Sequence, residues 1–467
     1  MFKKIKSKLN SRSYYQIIIV TSLLIASRFF GFFRQALIGS AYIEYTQIKY
    51  SDVFLNAQKI QDVLIAILIM GTFISTITPT GAKIIHDKGE DKFKEYIQIY
   101  LIVTGFLFFI ISVFCFVFIE NILMLTQNSF YNSYSQAGVL DIYLNSAKIL
   151  CFGVVIFALN TIMQIYLNLK ESFIWNNISG IVTNIVLIAV LLLNPGNFVF
   201  PLSVALIVSF GINMVIHMIG CYKLGLRFTL NTPQKFLVAF EENKKQLIVD
   251  FKHLAPRIFI VPLAIIASFM ISYIGGNLRP TFFETATIIQ GIFLTLVGAV
   301  GMVILPKLSQ FSNTDSTKLF IERINTYALK FIPIALIGSI VTFFASKFLL
   351  LFVMSANNFR KGNFSFVVVD DNINLQVQMI QILAISILFL GINEILIKYY
   401  LIKNKIIKLL IINTICIVVL VLGILISVNN TSYDLGIIVS FFFTAATTLQ
   451  TILYYIGIAF DKNTIED

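Results

Sequence analysis

Residues 14–40 read YYQIIIVTSLLIASRFFGFFRQALIGS, and Arg28 and Arg34 stand in the middle of that apolar run. About 20 apolar residues cross a bilayer as a helix, so the stretch is long enough to span. An arginine at the centre of such a helix costs about 2.5–3.5 kcal/mol on insertion scales, and it usually faces a water-filled cavity or a partner. Two in one helix point to a site for an anionic cargo. A buried structural ion pair is the alternative reading.

The rest of the chain follows the same pattern. Of its 467 residues 58% are hydrophobic and 12% charged, and the mean hydropathy is +0.87, which excludes an ordinary soluble domain. Twelve spans are expected, near 14–40, 51–79, 95–119, 140–168, 173–194, 198–222, 255–277, 284–306, 326–353, 374–402, 406–428 and 434–460. The basic start (Lys3, Lys4, Lys6, Lys8, Arg12) could open a signal peptide, but the span after it is too long and no small-residue cleavage site follows. The net charge of +12 would suggest nucleic acid in a soluble protein. Here 23 of the 35 lysines and arginines fall at the N-terminus, the tail and alternate loops, whereas the opposite loops hold Lys49, Arg279, Arg360 and Lys361. By the positive-inside rule both termini are expected in the cytoplasm. Cys115, Cys151, Cys221 and Cys416 lie in apolar spans without paired spacing and read as small buried hydrophobes.

The expected fold class is therefore an all-α polytopic membrane protein, with about 12 transmembrane helices in two six-helix lobes around a central cavity. Residues 1–224 form the N-terminal lobe, 225–253 a cytoplasmic amphipathic linker, and 254–467 the C-terminal lobe. In the linker, Thr232-Pro233 suits an N-cap followed by a first-turn proline. The apolar residues Phe236, Leu237, Phe240, Leu247, Ile248 and Phe251 alternate with charges, as in a helix lying at a membrane interface. The lobes echo each other: Gly71 and Pro79 close helix 2 as Gly298 and Pro306 close helix 8, at an offset of 227 residues. An even number of spans per lobe makes the repeats parallel, and such carriers bind cargo near the midplane between them. These glycines and prolines, with Gly31, are the candidate hinges.

Two polar stripes accompany the arginines. Asp52, Asn56 and Lys59 in helix 2, and Asp141, Asn145 and Lys148 in helix 4, both fall at i, i+4 and i+7, on one helical face. Asp62 continues the first stripe. A cationic cavity would place Arg28, Arg34, Lys59 and Lys148 around the cargo, with Asp52 orienting them; mutual Asp–Lys pairing is the competing reading. Arg28 and Arg34 lie ~120° apart around the helix, so they share a face only if Gly31 bends it. Arg257 and Lys330 suit snorkelling to an interface. Glu394 and Lys398 suit a structural i, i+4 pair, with ion coupling as the alternative. His86, His217 and His253 have no metal-ligand spacing, and Trp175 suits an interfacial anchor. No GxxxxGK[ST], HExxH or GxSxG occurs, so neither metal chemistry nor an enzyme is expected, and no cofactor beyond possible ion or membrane-potential coupling.

The stretch Ser27-Arg28-x-x-Gly31-Phe32-x-Arg34, Asp52-x-Phe54 with Lys59, and Gly71-Thr72-Phe73 running to Pro79 resembles the MurJ/MviN lipid II flippases of the MOP transporter superfamily. A second block, residues 298–309, is similar to that family's helix 8 ending. The resemblance implies a flippase of the bacterial cytoplasmic (inner) membrane. Such a protein moves a polyprenyl-pyrophosphate-linked saccharide, lipid II first, outward by alternating access, in company with cell-envelope biosynthesis proteins and without nucleic acid. It also implies that Arg28, Arg34, Asp52 and Lys59 are cavity residues. Ile65 and Thr287 stand where the family often carries arginine, and the twelve expected spans are two short of the family's usual fourteen. A flippase for a surface-polysaccharide (O-antigen or exopolysaccharide) repeat unit is therefore the runner-up, followed by a drug/cation antiporter. A membrane glycosyltransferase acting on the same lipid is the reading from a different class.

Overall fold

In the computed structural model, the described residues are 11–38, 50–65, 73–193, 198–227, 229–230, 232–257, 262–274, 317–360, 373–403, 405–430 and 434–463, with 283, 286–287, 289–291, 294 and 308 as separate helical positions. Fourteen helices run through them. In the first half these are α1 (Ser11–Ile38), α2 (Tyr50–Leu64), α3 (Phe73–Lys88), α4 (Glu90–Thr126), α5 (Asn128–Gln136), α6 (Leu140–Leu169), α7 (Phe173–Leu193) and α8 (Val199–Lys223). Then come α9 (Pro233–Arg257), α10 (Leu263–Ile274), α11 (Thr317–Arg360), α12 (Ile373–Ile402), α13 (Ile406–Asn430) and α14 (Leu435–Asn463). Eight of them are long and apolar enough to cross a membrane. Of the other four expected spans, 14–40 overlaps α1, 51–79 overlaps α2 and α3, and 255–277 overlaps the end of α9 and α10, while most of 284–306 lies outside the described residues. The protein is an all-α polytopic membrane protein.

Helices are imposed here by the solvent. Lipid offers no hydrogen bonds, so each backbone group must be satisfied within its own segment. The outward faces confirm the environment: on α13, Ile407, Ile411, Ile415, Val418, Leu422 and Ile426 form an exposed stripe at helical spacing, and on α4 Phe106, Phe109, Ile110 and Phe114 do the same. Apolar stripes of that length are disfavoured against water and suit contact with acyl chains.

Buried apolar residues separate into two large clusters, one from Leu37 to Leu247 and one from Leu263 to Ile458. The same helix pairings recur in both. The contacts α1–α7, α4–α6, α6–α8 and α7–α8 in the first half correspond to α10–α13, α11–α12, α12–α14 and α13–α14 in the second. Gln290, between α10 and α11 in the chain, donates to Ser386 of α12, just as α2 packs on α6. The order of helix pairing in the first half is thus repeated in the second. Gly71, Gly298 and Pro306 lie outside the described residues, whereas Pro79 sits half-buried inside α3.

Two elements differ from the sequence reading. The polar segment 128–136, expected as loop, forms α5, and α10 of the other half packs against it. The second is α9. The Thr232 hydroxyl accepts from the Lys235 backbone N–H at 3.4 Å, closing its first turn. The helix is more than an interfacial float, however, because it is docked on α3 and α4. Asp250 is 1% exposed and accepts from the Tyr96 hydroxyl at 2.8 Å, the Tyr100 hydroxyl at 3.0 Å, the Thr80 hydroxyl at 3.1 Å and the Gln246 amide at 3.0 Å. A buried carboxylate is tolerable only with such a set of donors. Leu237, Val238, Ile248, Val249 and Phe251 stay exposed on the far face.

Candidate functional site

The helix that carries both arginines is held by close approach. Gly180 of α7 brings its backbone against Ser27, since a Cβ there would lie 2.5 Å from the serine Oγ, and Gly31 faces the Asn184 amide. Asn184 donates to the Ser27 carbonyl and to the Gly180 carbonyl, both at 2.9 Å. Small residues at such crossings let two backbones meet, which is how membrane helices gain packing energy. Gly31 thus lies within the unbroken helix α1, at the contact with α7.

With α1 so held, Arg28 points across to the second half. A Cβ at Gly291 would stand 3.5 Å from its Nη1, and the side chain is exposed along that cleft. Arg34 is half-buried on the same helix. Lys59 reaches the second half as well: its Nζ donates to the Ser268 carbonyl of α10 at 2.8 Å, across 209 positions of sequence. Beside this bond lies a cavity of about 220 Å³, lined by Lys59, Asp62 and Val63 of α2 and by Ser268, Phe269, Phe283 and Thr287 of the second half. Asp62 opens into it and accepts from Gln58 at 3.0 Å. At ~30 Å³ per water the cavity holds roughly seven waters, well under the ~300–1,000 Å³ of a drug-sized pocket. The halves are therefore drawn together around the site.

The polar stripe of α2 divides between two partners. Asp52 is buried close enough to Tyr134 of α5 to act on it electrostatically, and Asn56 donates to the Tyr134 hydroxyl at 2.8 Å. Lys59, one turn on, turns to α10 instead. On α6 the second stripe leaves Asp141 and Asn145 exposed and Lys148 half-buried. Glu394 and Lys398 pair with each other at 2.8 Å. Arg257 ends α9, and its side chain lies outside the described residues.

Two polar knots went unread in the sequence. In the second half Asn393 donates to Gln450, and Gln450 to Asn413, both at 3.1 Å, tying α12, α14 and α13 together. In the first half His217, fully buried on α8, bonds Asn160 of α6 at 3.1 Å. Each is made of single polar residues in separate apolar runs, three in the first knot and two in the second, so only the fold reveals the partners. Among the described residues no group of three His, Cys, Asp or Glu could hold a metal.

No protein-family profile matches the sequence, and no curated protein matches it. Solved structures do. A MATE transporter crystallised with MaL6 superposes with a TM-score of 0.69 at 12% identity, covering 95% of this chain and 96% of that one. The Vibrio cholerae MATE transporter VcmN in its bent form gives 0.64 at 14% identity, covering 97% and 98%. A lipid II flippase MurJ in an inward closed conformation gives 0.63 at 14% identity, covering 95% and 87%. This is the MATE and MurJ fold. In this chain the cleft beside Arg28 and Lys59 lies where the first half meets α10 and Gly291 of the second.

Proposed function

We propose that this chain is a carrier that moves an anionic, lipid-linked headgroup across a bacterial cytoplasmic membrane by alternating access. Its cargo is a polyprenyl-pyrophosphate-linked saccharide, lipid II first. The observation that carries the reading is the pair of cations at the meeting of the halves: Arg28 against Gly291 and Lys59 on the Ser268 carbonyl. Both lie where motion between the halves would expose them. Arg28 is suited to bidentate capture of a pyrophosphate, and Lys59 supplies a second positive charge. In this conformation the cavity has room for the charged link and none for a glycan, so the headgroup enters a wider state. The basic ends of the helices, with α9, face the cytoplasm in this reading.

One observation favours a second reading. Asp62 is a carboxylate opening into the same cavity, which a drug or cation antiporter would need. Complementation separates the two. In a bacterium depleted of its lipid II flippase, the parent chain should restore growth and a well-expressed Arg28→Ala variant should not. Failure of a well-inserted parent would turn the assignment to another polyprenyl-linked glycan. Export of an organic cation that is lost with Asp62→Asn would turn it to the antiporter.

A further inference from the structure

His217 has a fixed tautomer. Asn160 is oriented by its own amide nitrogen, which donates to the Phe210 carbonyl at 3.0 Å, so its Oδ1 is the atom facing His217 Nδ1 at 3.1 Å. An amide oxygen only accepts, hence Nδ1 carries the proton and Nε2 keeps a lone pair. That Nε2 is fully buried and has no hydrogen-bond partner. A buried acceptor left unpaired is costly and calls for an explanation.

The surroundings supply one. The backbone of Trp175, near the start of α7, lies close to the His217 ring, although no hydrogen bond reaches Nε2. The indole covers the same face of α8 one turn on: a Cβ at Gly220 would stand 2.8 Å from its Cγ, and the Lys223 ammonium lies 5.1 Å from the ring centroid. His217, Gly220 and Lys223 follow at spacings of three, so Trp175 forms a lid between the histidine and the basic end. The neighbouring helices bring few charges. No residue of α7 is titratable. Toward the basic end α6 carries Tyr166, bonded to the Leu224 carbonyl, and Lys170 follows the helix, paired with Glu90. On α8 they are Cys221, Tyr222 and Lys223, and α2 contributes Lys59 and Asp62 at the cleft.

We propose that His217 is a proton-binding site in the first half, loaded from the basic end past Trp175. A hydronium ion from the aqueous phase gives its proton to Nε2: an O–H bond breaks and leaves water, the N–H bond forms, and neutral imidazole becomes imidazolium carrying the positive charge. The orphaned acceptor then becomes a donor toward the Trp175 backbone and staples α7 to α8. The staple reaches the candidate site: Asn213 of α8 donates to Thr183 of α7 at 2.8 Å, and Asn184 of α7 donates to the Ser27 carbonyl, next to Arg28. Its link to transport rests on the carrier reading, whereas proton binding itself does not.

The chain holds its own reporter, because Trp175 is the one tryptophan and there are three histidines. In the full-length protein carrying His86→Gln and His253→Gln, tryptophan emission is titrated from roughly pH 8 to pH 4, either side of histidine's ordinary ~6.5. A one-proton quenching step is expected, and it should vanish in a further His217→Gln variant. A step that persists in that variant, or a flat titration with His217 present, overturns the proposal. Should His217→Gln misfold, nitrogen NMR on the remaining labelled histidine decides: a Nδ1–H tautomer passing to the doubly protonated ring supports the site, and a ring that stays neutral until the protein unfolds refutes it. None of these readouts needs cargo, so failure here is distinct from failure of the carrier reading.

Discussion

Replacing Lys59 by methionine keeps an unbranched side chain of similar length and removes the charge that bonds the Ser268 carbonyl at 2.8 Å. A hydrogen bond to a charged group contributes about 1.5–3 kcal/mol net. This one joins α2 to α10, so under the proposed motion between the halves its loss should shift the closed-to-open balance by about that amount. At ~1.4 kcal/mol per factor of ten, the open form should gain roughly ten- to a hundredfold. The readout is a distance distribution between spin labels at Asn132 of α5 and Tyr273 of α10. Both residues are exposed, and their helices pack across the halves. The four buried cysteines would be changed to alanine first. Lys59→Met should add a long-distance population, and Lys59→Arg should add less of it. Identical distributions in the parent and both variants would refute the idea that this bond holds the halves closed.

Arg28→Ala should lower transport at least tenfold while thermal melting in detergent stays within a few degrees of the parent, because the guanidinium faces the cleft; transport at the parent rate would remove Arg28 from the site. Asp250→Ala leaves the Tyr96, Tyr100 and Thr80 hydroxyls without their shared acceptor, and at ~1–3 kcal/mol for each unsatisfied buried group it should free α9 to protease, whereas Asp250→Asn should protect partially. Equal protease resistance in all three proteins would show that α9 is held by its apolar contacts alone. Glu394→Gln breaks only a half-exposed i, i+4 pair, so stability should fall by less than about 1 kcal/mol and the pH dependence of transport should not change; a changed pH profile would make Glu394 a coupling residue.

Much of the architecture was legible because hydropathy is local. The expected spans 140–168, 173–194, 198–222 and 374–402 match α6, α7, α8 and α12 within one residue at each end, since each must satisfy its own backbone in lipid. The cap at Thr232 was legible for the same reason, its bond closing within four residues. Segment 128–136 was missed because its asparagines, serines and tyrosines carry no apolar period. Its helix is supported through Tyr134, which meets Asn56 from 78 positions away. His217 was passed over because a lone histidine in an apolar run says nothing of its partner, 57 positions off.

The chain by itself therefore determined that it crosses a membrane as a bundle of helices, because that follows from composition summed over some twenty neighbours at a time. It also placed charges in the apolar interior, since each is visible in its own span. What each charge meets was decided only by the tertiary structure. Asp52 and Lys59 stand two turns apart on one helix, yet one packs beside Tyr134 and the other bonds the backbone of the opposite half. Asp250, outwardly a charge on a surface helix, is among the most buried carboxylates of the described residues. Helical spacing sets which residues share a face, and the crossing of distant helices sets what that face touches.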